Sequence, residues 1–263
     1  METIVDLTEI KVSVVMPTYN SAEFVAESID AILAQTHCNW ELLITDDCST
    51  DNTREIVEGF AQRDSRVRLL TLEKNSGAGV ARNNSIREAT GDYSAFCDSD
   101  DVWKPEKLKI QLSYMRKHDV DVCYGSYLIQ DEDGNITGVN ICKRITTESV
   151  IKRDNTMGNL TVIYNAKKLG KVFFPTIRKR QDWALNIMLL KMCKVAHGII
   201  DPIAYYRVRS GSISRNKKSL IKYNVQVYKE ILKCNTVVAW LRLLFVFMPS
   251  HLYKLLRLKI INY

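Results

Sequence analysis

Apolar and polar positions in the first hundred residues switch back and forth between two periods. Val12-Ser13-Val14-Val15-Met16 is a short apolar run closed by Pro17, the pattern of a buried strand. From Ser21, a predicted cap, to about Gln35, the residues Phe24, Ile29, Ile32 and Leu33 recur at helical spacing. Trp40 to Thr45 predicts a second strand, ended by Asp46-Asp47, and Asp51 or Ser49 is expected to cap a helix reaching about Gln62. Val67 to Leu72 predicts a third strand, Gly77 to about Ala89 a third helix, and Tyr93 to Cys97 a fourth strand. Strands alternating with helices imply parallel βαβ units, hence an α/β fold with a mostly parallel central sheet flanked by helices.

The regular alternation weakens after about residue 120. A helix from Lys104 to about His118, a strand from Val120 to Gly125 and a hairpin turn at Asp131-Glu132-Asp133-Gly134-Asn135 are expected there. The predicted organisation is one domain in two halves, 1–120 and 121–216, followed by a tail over 217–263. In that tail Thr236 to Met248 is strongly apolar up to Pro249. This run is shorter than the ~20 residues a spanning helix needs, and Arg242 interrupts it. Lys254, Arg257 and Lys259 then alternate with Leu255, Leu256, Leu258 and Ile260. Helices of this kind suit the surface of an anionic membrane; the alternative is packing on the protein or on a second subunit.

Charge sharpens this division. Residues 217–263 hold nine lysines and arginines against Glu230 alone, a net of +8, whereas the whole chain of 263 residues is +7. The basic excess is therefore a property of the tail. The seven cysteines are scattered, with no CxxC pair, which argues against a disulfide framework or zinc site and for a reducing compartment. The first residues carry acid and no apolar core, so no signal peptide is expected.

The candidate chemistry is concentrated at strand ends. Asp98-Ser99-Asp100-Asp101 follows an apolar strand and places three carboxylates within four residues. Such a cluster repels itself unless a cation sits against it, and Mg²⁺ or Mn²⁺ takes carboxylate oxygens together with substrate phosphates. A solvated acidic turn is the plainer alternative. Three further strand ends carry Pro17-Thr18-Tyr19-Asn20, Asp46-Asp47-Cys48-Ser49-Thr50-Asp51 and Asn75-Ser76-Gly77-Ala78-Gly79-Val80-Ala81-Arg82-Asn83. In an open α/β sheet all of these meet at one edge, where ligands bind.

In this order and spacing, the four motifs resemble glycosyltransferase family 2, nucleotide-sugar enzymes of the GT-A fold. The resemblance covers residues 11–105 and reappears at Gln181-Asp182-Trp183 and from Tyr206 to Ser214. It implies a donor-binding half, 1–120, and an acceptor-binding and catalytic half, 121–216. It implies that Pro17, Thr18, Tyr19, Asn20, Asp47, Gly77 and Arg82 line the donor site, with Thr18 and Asp47 at the base and Arg82 at the base or ribose. Gly77 and Gly79 would let the backbone approach the nucleotide. Asp100 is the main metal-side carboxylate and Asp98 the ribose contact, an assignment open to exchange. Asp101 is either a third ligand or a cap at Val102. Asp46 and Asp51 are read as caps.

Asp182 is the candidate general base; relatives often show Glu-Asp here, and this chain has Gln181 in place of the Glu. Its alternative role is an ion pair with Arg178, Lys179 or Arg180. Arg207 and Arg215 would contact the departing diphosphate. The resemblance therefore implies inverting, metal-dependent transfer from a nucleotide-diphosphate sugar, UDP ahead of GDP. The expected acceptor is a polyprenyl-linked saccharide at the cytoplasmic face of a membrane, with no nucleic-acid partner. The competing functions are a nucleotidyltransferase, disfavoured because no Gly-rich basic loop follows the first strand, and an inactive scaffold of the same fold.

Overall fold

The computed structural model describes residues 7–209 and 220–252. Its first half follows the predicted alternation. Strand β1 (Val12–Thr18), helix α1 (Val25–Leu33), β2 (Trp40–Asp46), α2 (Thr53–Arg63), β3 (Val67–Thr71), α3 (Ala78–Glu88) and β4 (Tyr93–Phe96) come in that order. β1 pairs in parallel with β2 and β4, and β2 with β3. The side chains alternate across the sheet: Val12, Val14 and Met16 enter one hydrophobic core and Val15 the other. That two-sided burial is why the strand reads as a continuous apolar run rather than an alternating one.

Beyond β4 the sheet becomes mixed. The elements are β5 (Val102–Trp103), α4 (Lys107–His118), β6 (Val122–Gln130), β7 (Ile136–Asn140), β8 (Ile145–Thr147) and α5 (Glu148–Ile151). A 3₁₀ turn (Asn159–Thr161), β9 (Ile163–Asn165), α6 (Ala166–Leu169), α7 (Gln181–Cys193) and β10 (Val195–Arg207) follow. The strand order is β3-β2-β1-β4-β9-β6-β10-β5, so one sheet runs through both expected halves. β9 lies antiparallel between β4 and β6, while β6 and β10 are parallel. The predicted hairpin turn joins β6 to β7, with Gly134 in the left-handed region at φ +85°.

Two local expectations change. Ser21 does not cap α1: its hydroxyl meets Ser99 Oγ at 2.8 Å, and the helix begins only at Val25. Val102 starts the two-residue strand β5, paired with β10, rather than a helix, so Asp101 is no helix cap there.

Helix α8 (Leu220–Glu230) meets α7 through Tyr228, and α9 (Thr236–Arg242) packs on α8. Trp183 of α7 is fully buried, its indole N–H donating to Ile151 O at 2.6 Å. Tyr228 meets its ring edge-on at 5.5 Å and Phe247 at 5.7 Å. From α9 the helix passes through a π-helical segment (Leu243–Phe247) and stays helical over 248–252. Pro249 therefore does not stop it, against expectation: a widened turn just before a proline relieves its clash and its missing N–H. No described helix is long and apolar enough to cross a membrane.

Candidate active site

The carboxyl ends of β1, β2 and β4 form one edge, and the loops there are tied to each other. Asp47 follows β2, and its two carboxylate oxygens accept from the backbone N–H groups of Ser76 (2.6 Å) and Gly77 (2.7 Å). Asp47 thus clamps the loop before α3, where a contact to the base was expected of it. Gly77 has φ +90°, a conformation that favours glycine, and it starts α3. A Cβ at Gly79 would lie 2.6 Å from Gln181 Nε2. The space expected there for a nucleotide is taken by the side chain from α7.

Around β1, Thr18 Oγ1 is buried with no hydrogen-bond partner. Pro17 is buried in the strand and Tyr19 is 47% exposed. Asn20 departs from its expected role: its side chain accepts from Thr50 N at 2.8 Å, bracing the loop after β2. Asp46 and Asp51 act locally, but neither is the cap expected of it: α2 starts at Thr53 with Asn52 in the cap position and no side-chain capping bond. Asp46 accepts from Ser49 N at 3.0 Å and from Arg54 Nε at 2.6 Å. Asp51 accepts from Thr53 N at the start of α2.

The three aspartates after β4 separate into three environments. Asp98 is ion-paired with Arg82, Nη2 to Oδ1 at 2.6 Å. Asp100 faces Arg209, Nε to Oδ2 at 3.2 Å, yet burial, and after it the Asp98 charge, raises its carboxyl above the usual range. Asp101 is 1% exposed and accepts from Arg207 N at 3.2 Å. Burial first, then Asp100 and Asp98, pushes it well above the usual carboxylate range. Asp101 sits behind the cluster, braced to β10, and is withdrawn from the ligand set. Among the described residues no three side chains gather as a ready-made metal site. What remains, Asp98 and Asp100, still fits a hard cation held by one or two carboxylates plus substrate phosphates. The observation in favour of that fit is that Asp100 is desolvated beside a like charge, Asp98, a setting a cation would relieve.

Arg207 also changes role. It is 4% exposed and each nitrogen of its guanidinium has a protein acceptor: Nη2 to Glu27 Oε2 at 2.5 Å, Nη1 to Glu132 O at 2.9 Å and Nε to Asp100 O at 3.2 Å. It braces the acidic loop from a buried position, which takes it away from the expected contact with a diphosphate. Arg209, two residues on, supplies the cation at Asp100. The alternation of Arg207 and Arg209 on an extended segment was the available signal. Arg215 lies outside the described residues.

Arg82 links this cluster to the candidate base. Besides Asp98, it reaches Gln181 Oε1 at 3.4 Å, and its guanidinium lies 5.1 Å from the centre of the Phe174 ring. It is largely buried, so it is not a solvated helix residue. Next to Gln181, Asp182 stands in the first turn of α7 and accepts from Asn155 Nδ2 at 2.7 Å through Oδ2. It makes no ion pair with Arg178 or Arg180. Asn155 Oδ1 in turn accepts from Asn186 Nδ2 at 3.1 Å, and Asn186 is fully buried one helical turn after Asp182. A carboxylate can only accept, so it fixes which end of Asn155 faces it, and that choice orients Asn186. Sequence reading missed both asparagines; only the i, i+4 spacing of Asp182 and Asn186 hinted at one of them. A cavity of about 440 Å³ opens beside Gln181, lined also by Gly77, Asn83 and Arg178.

These residues can be set beside known proteins. The family model for glycosyl transferase family 2 matches residues 13–173. The putative teichuronic acid biosynthesis glycosyltransferase TuaG of Bacillus subtilis is 38% identical over 222 residues, 84% of this chain and 88% of that protein. The Escherichia coli UDP-Glc:alpha-D-GlcNAc-diphosphoundecaprenol beta-1,3-glucosyltransferase WfgD is 38% identical over 214 residues, 80% of this chain and 82% of the other. Among solved structures, S. aureus TarS 1-349 in complex with UDP-GlcNAc has a TM-score of 0.69 at 24% identity, over 88% of this chain and 69% of that one. Mannosyltransferase PcManGT from Pyrobaculum calidifontis, in complex with GDP-Man and Mn2+, has a TM-score of 0.63 at 19% identity, over 85% and 64%.

Proposed function

The chain belongs to glycosyl transferase family 2, and on that premise we propose that it moves one sugar, with inversion, from a UDP-sugar to a hydroxyl of a polyprenyl-linked saccharide in cell-surface polysaccharide assembly. The observation that carries the reading is the position of Arg82. One guanidinium touches Asp98 at the acidic strand end and Gln181 beside Asp182, so donor side and base side are held by a single group.

In this mechanism Thr18, with its unpartnered buried hydroxyl, and the loop clamped by Asp47 shape the donor end. Asp98 and Asp100 would hold Mn²⁺ or Mg²⁺, which when bound supplies positive charge beside the diphosphate. Asp182 accepts the proton of the acceptor hydroxyl through Oδ1, since Oδ2 is taken by Asn155. The acceptor oxygen bonds to the anomeric carbon as the bond to the diphosphate breaks, and the nucleoside diphosphate leaves with that electron pair. Attack on the face opposite the diphosphate inverts the anomeric configuration. Arg82 and Arg209 keep the acidic strand end from repelling the diphosphate.

The reading includes peripheral attachment at the cytoplasmic face of the cell membrane. Its support is the outer side of the last helix, where Leu241, Leu244, Phe245 and Met248 are exposed, together with the +8 of residues 217–263. The polyprenyl-linked acceptor named for the Escherichia coli relative points the same way.

Calorimetric titration of UDP and GDP, with Mn²⁺ and then with EDTA, tests the donor site. UDP should bind only with the metal, and Asp100→Ala should lose that binding. Folded protein that binds neither nucleotide would overturn the proposal; GDP preference would replace the donor class.

A further inference from the structure

Two guanidinium groups just before Asp182 in the chain have no anionic partner among the described residues. Arg178 is exposed and lines the 440 Å³ cavity with Gly77, Gly79 and Gln181. Arg180 immediately precedes α7, in the left-handed region at φ +66°. Its Nε is buried without a hydrogen-bond partner, and its guanidinium lies 5.7 Å from the centre of the Phe247 ring. Neither arginine forms a salt bridge among the described residues, and the carboxylate nearest in sequence, Asp182, is bonded to Asn155 instead. A desolvated guanidinium N–H without an acceptor is costly, and an anionic ligand would relieve it.

The surroundings say which anion. The cavity that Arg178 lines also holds Gly77, on the loop clamped by Asp47. Arg180 lies against Phe247, whose helix exposes Leu244, Phe245 and Met248. Arg178 at the cavity, Arg180 against Phe247 and Asp182 in the first turn of α7 follow one another within five residues. A membrane-anchored sugar diphosphate presents parts that match these three. Its hydroxyl meets the base, its diphosphate follows one sugar ring away, and its hydrocarbon lies at the membrane. Arginine suits the middle position, because its planar fork binds phosphate oxygens bidentately.

We propose that Arg178 and Arg180 form the subsite for the diphosphate of the lipid-linked acceptor. This rests on the reading of Asp182 as the base of a glycosyltransferase. The donor also carries a diphosphate, so the shared chemistry is diphosphate recognition and the test must separate the two sources.

Inorganic pyrophosphate, titrated calorimetrically into protein already saturated with UDP and Mn²⁺, reports on a diphosphate site outside the donor pocket. The proposal expects binding, weakened about 10- to 100-fold by Arg178→Ala or Arg180→Asn, the loss of one or two charge-assisted hydrogen bonds. Asparagine tolerates the left-handed backbone at 180, so that variant should fold. UDP affinity should hold in both variants. With an undecyl-diphosphate-linked GlcNAc acceptor, KM should rise by a similar factor while kcat changes less. Pyrophosphate that binds only before UDP is added, or variants that lose UDP affinity, would assign these arginines to the donor and overturn the proposal. Pyrophosphate affinity unchanged by both substitutions would overturn it as well. A failure of the base reading looks different: Asp182→Asn would retain turnover while the pyrophosphate result stood.

Discussion

Lys107→Met should make the protein more stable at pH 7 and less stable above about pH 9. Lys107 is fully buried, with its ammonium 2.8 Å from Gln111 Oε1 and 3.7 Å from the centre of the Trp103 ring, and no carboxylate pairs with it. Burial lowers its pKa from 10.5 to about 7. The unfolded chain therefore binds a proton here between pH 7 and 10.5 that the folded protein does not, so this group makes stability rise with pH across that window. The full penalty applies below about pH 7 and vanishes above about 10.5; it amounts to ~5 kcal/mol in the limit and ~4 kcal/mol at pH 7. Methionine removes the penalty but leaves the Gln111 amide oxygen buried and unpaired, a cost of ~1–3 kcal/mol. The balance is a gain of ~2 kcal/mol at pH 7, which reverses near pH 9 as the cost of holding the folded lysine neutral shrinks on approach to the unfolded value of 10.5. Burial raises the nearby Cys97 thiol and pushes Cys123 up to about 12, so both are moved away from this window. Urea unfolding of both proteins at pH 7, 8, 9 and 10 gives the difference directly, because titrations common to both cancel. Parallel stability curves would refute the argument.

Asp182→Asn should cut turnover by ~10²–10⁴, the usual worth of general-base help, with UDP affinity intact; near-normal turnover by steady-state assay would remove Asp182 from the base role. Asn155→Ala takes away the one hydrogen bond that orients that carboxylate, and kcat should fall ~10-fold or more with little change in KM; a loss confined to KM would make Asn155 an acceptor contact instead. Phe245 is 73% exposed, so Phe245→Asp should leave thermal stability alone and weaken co-sedimentation with anionic vesicles; unchanged sedimentation would detach the apolar stripe from the membrane. Phe247→Ala, on the buried side of the same helix, should instead cost ~3–5 kcal/mol in urea unfolding, and a variant as stable as wild type would mean that the helix is not packed on Trp183 as described.

What could be read along the chain was what depends on near neighbours. The strands β1, β2 and β4 announce themselves because each is buried on both faces, and the acidic run after β4 stands out in one dimension. Errors arose where a long-range partner outbid a local preference. Ser21 is a good helix cap by type, but Ser99, far along the chain, takes its hydroxyl. Val102 follows an aspartate as a helix start would, yet β10 offers it a ladder. Asp101 looks no different from Asp98 in sequence; only the return of β10 buries it and brings Arg207 N to its carboxylate. Arg207 and Arg209 could not be ranked before the positions of Glu27 and Glu132 were known. Asn155 and Asn186 were invisible because their value lies in bonding to each other and to Asp182.

The same long-range dependence changes how the tail is understood. Composition alone made residues 217–263 an appendage, basic and apolar, attached to a finished catalytic domain. The structure gives the last helix two faces with different work. Its inner face carries Ala239, Leu243 and Phe247 into the core that holds Trp183. Trp183 adjoins Asp182, and its indole N–H anchors Ile151, three residues before Asp154. His251, farther along the same helix, lies 4.0 Å from Asp154, which adjoins Asn155. Both the candidate base and the amide that orients it are thus next to residues the tail holds. Its outer face, meanwhile, is the largest run of exposed apolar side chains in the described chain. An enzyme whose acceptor is anchored in a membrane must set its base at a fixed height above that surface. A helix packed on Trp183, next to the candidate base, from one side and apolar on the other fits the membrane-anchored acceptor proposed above.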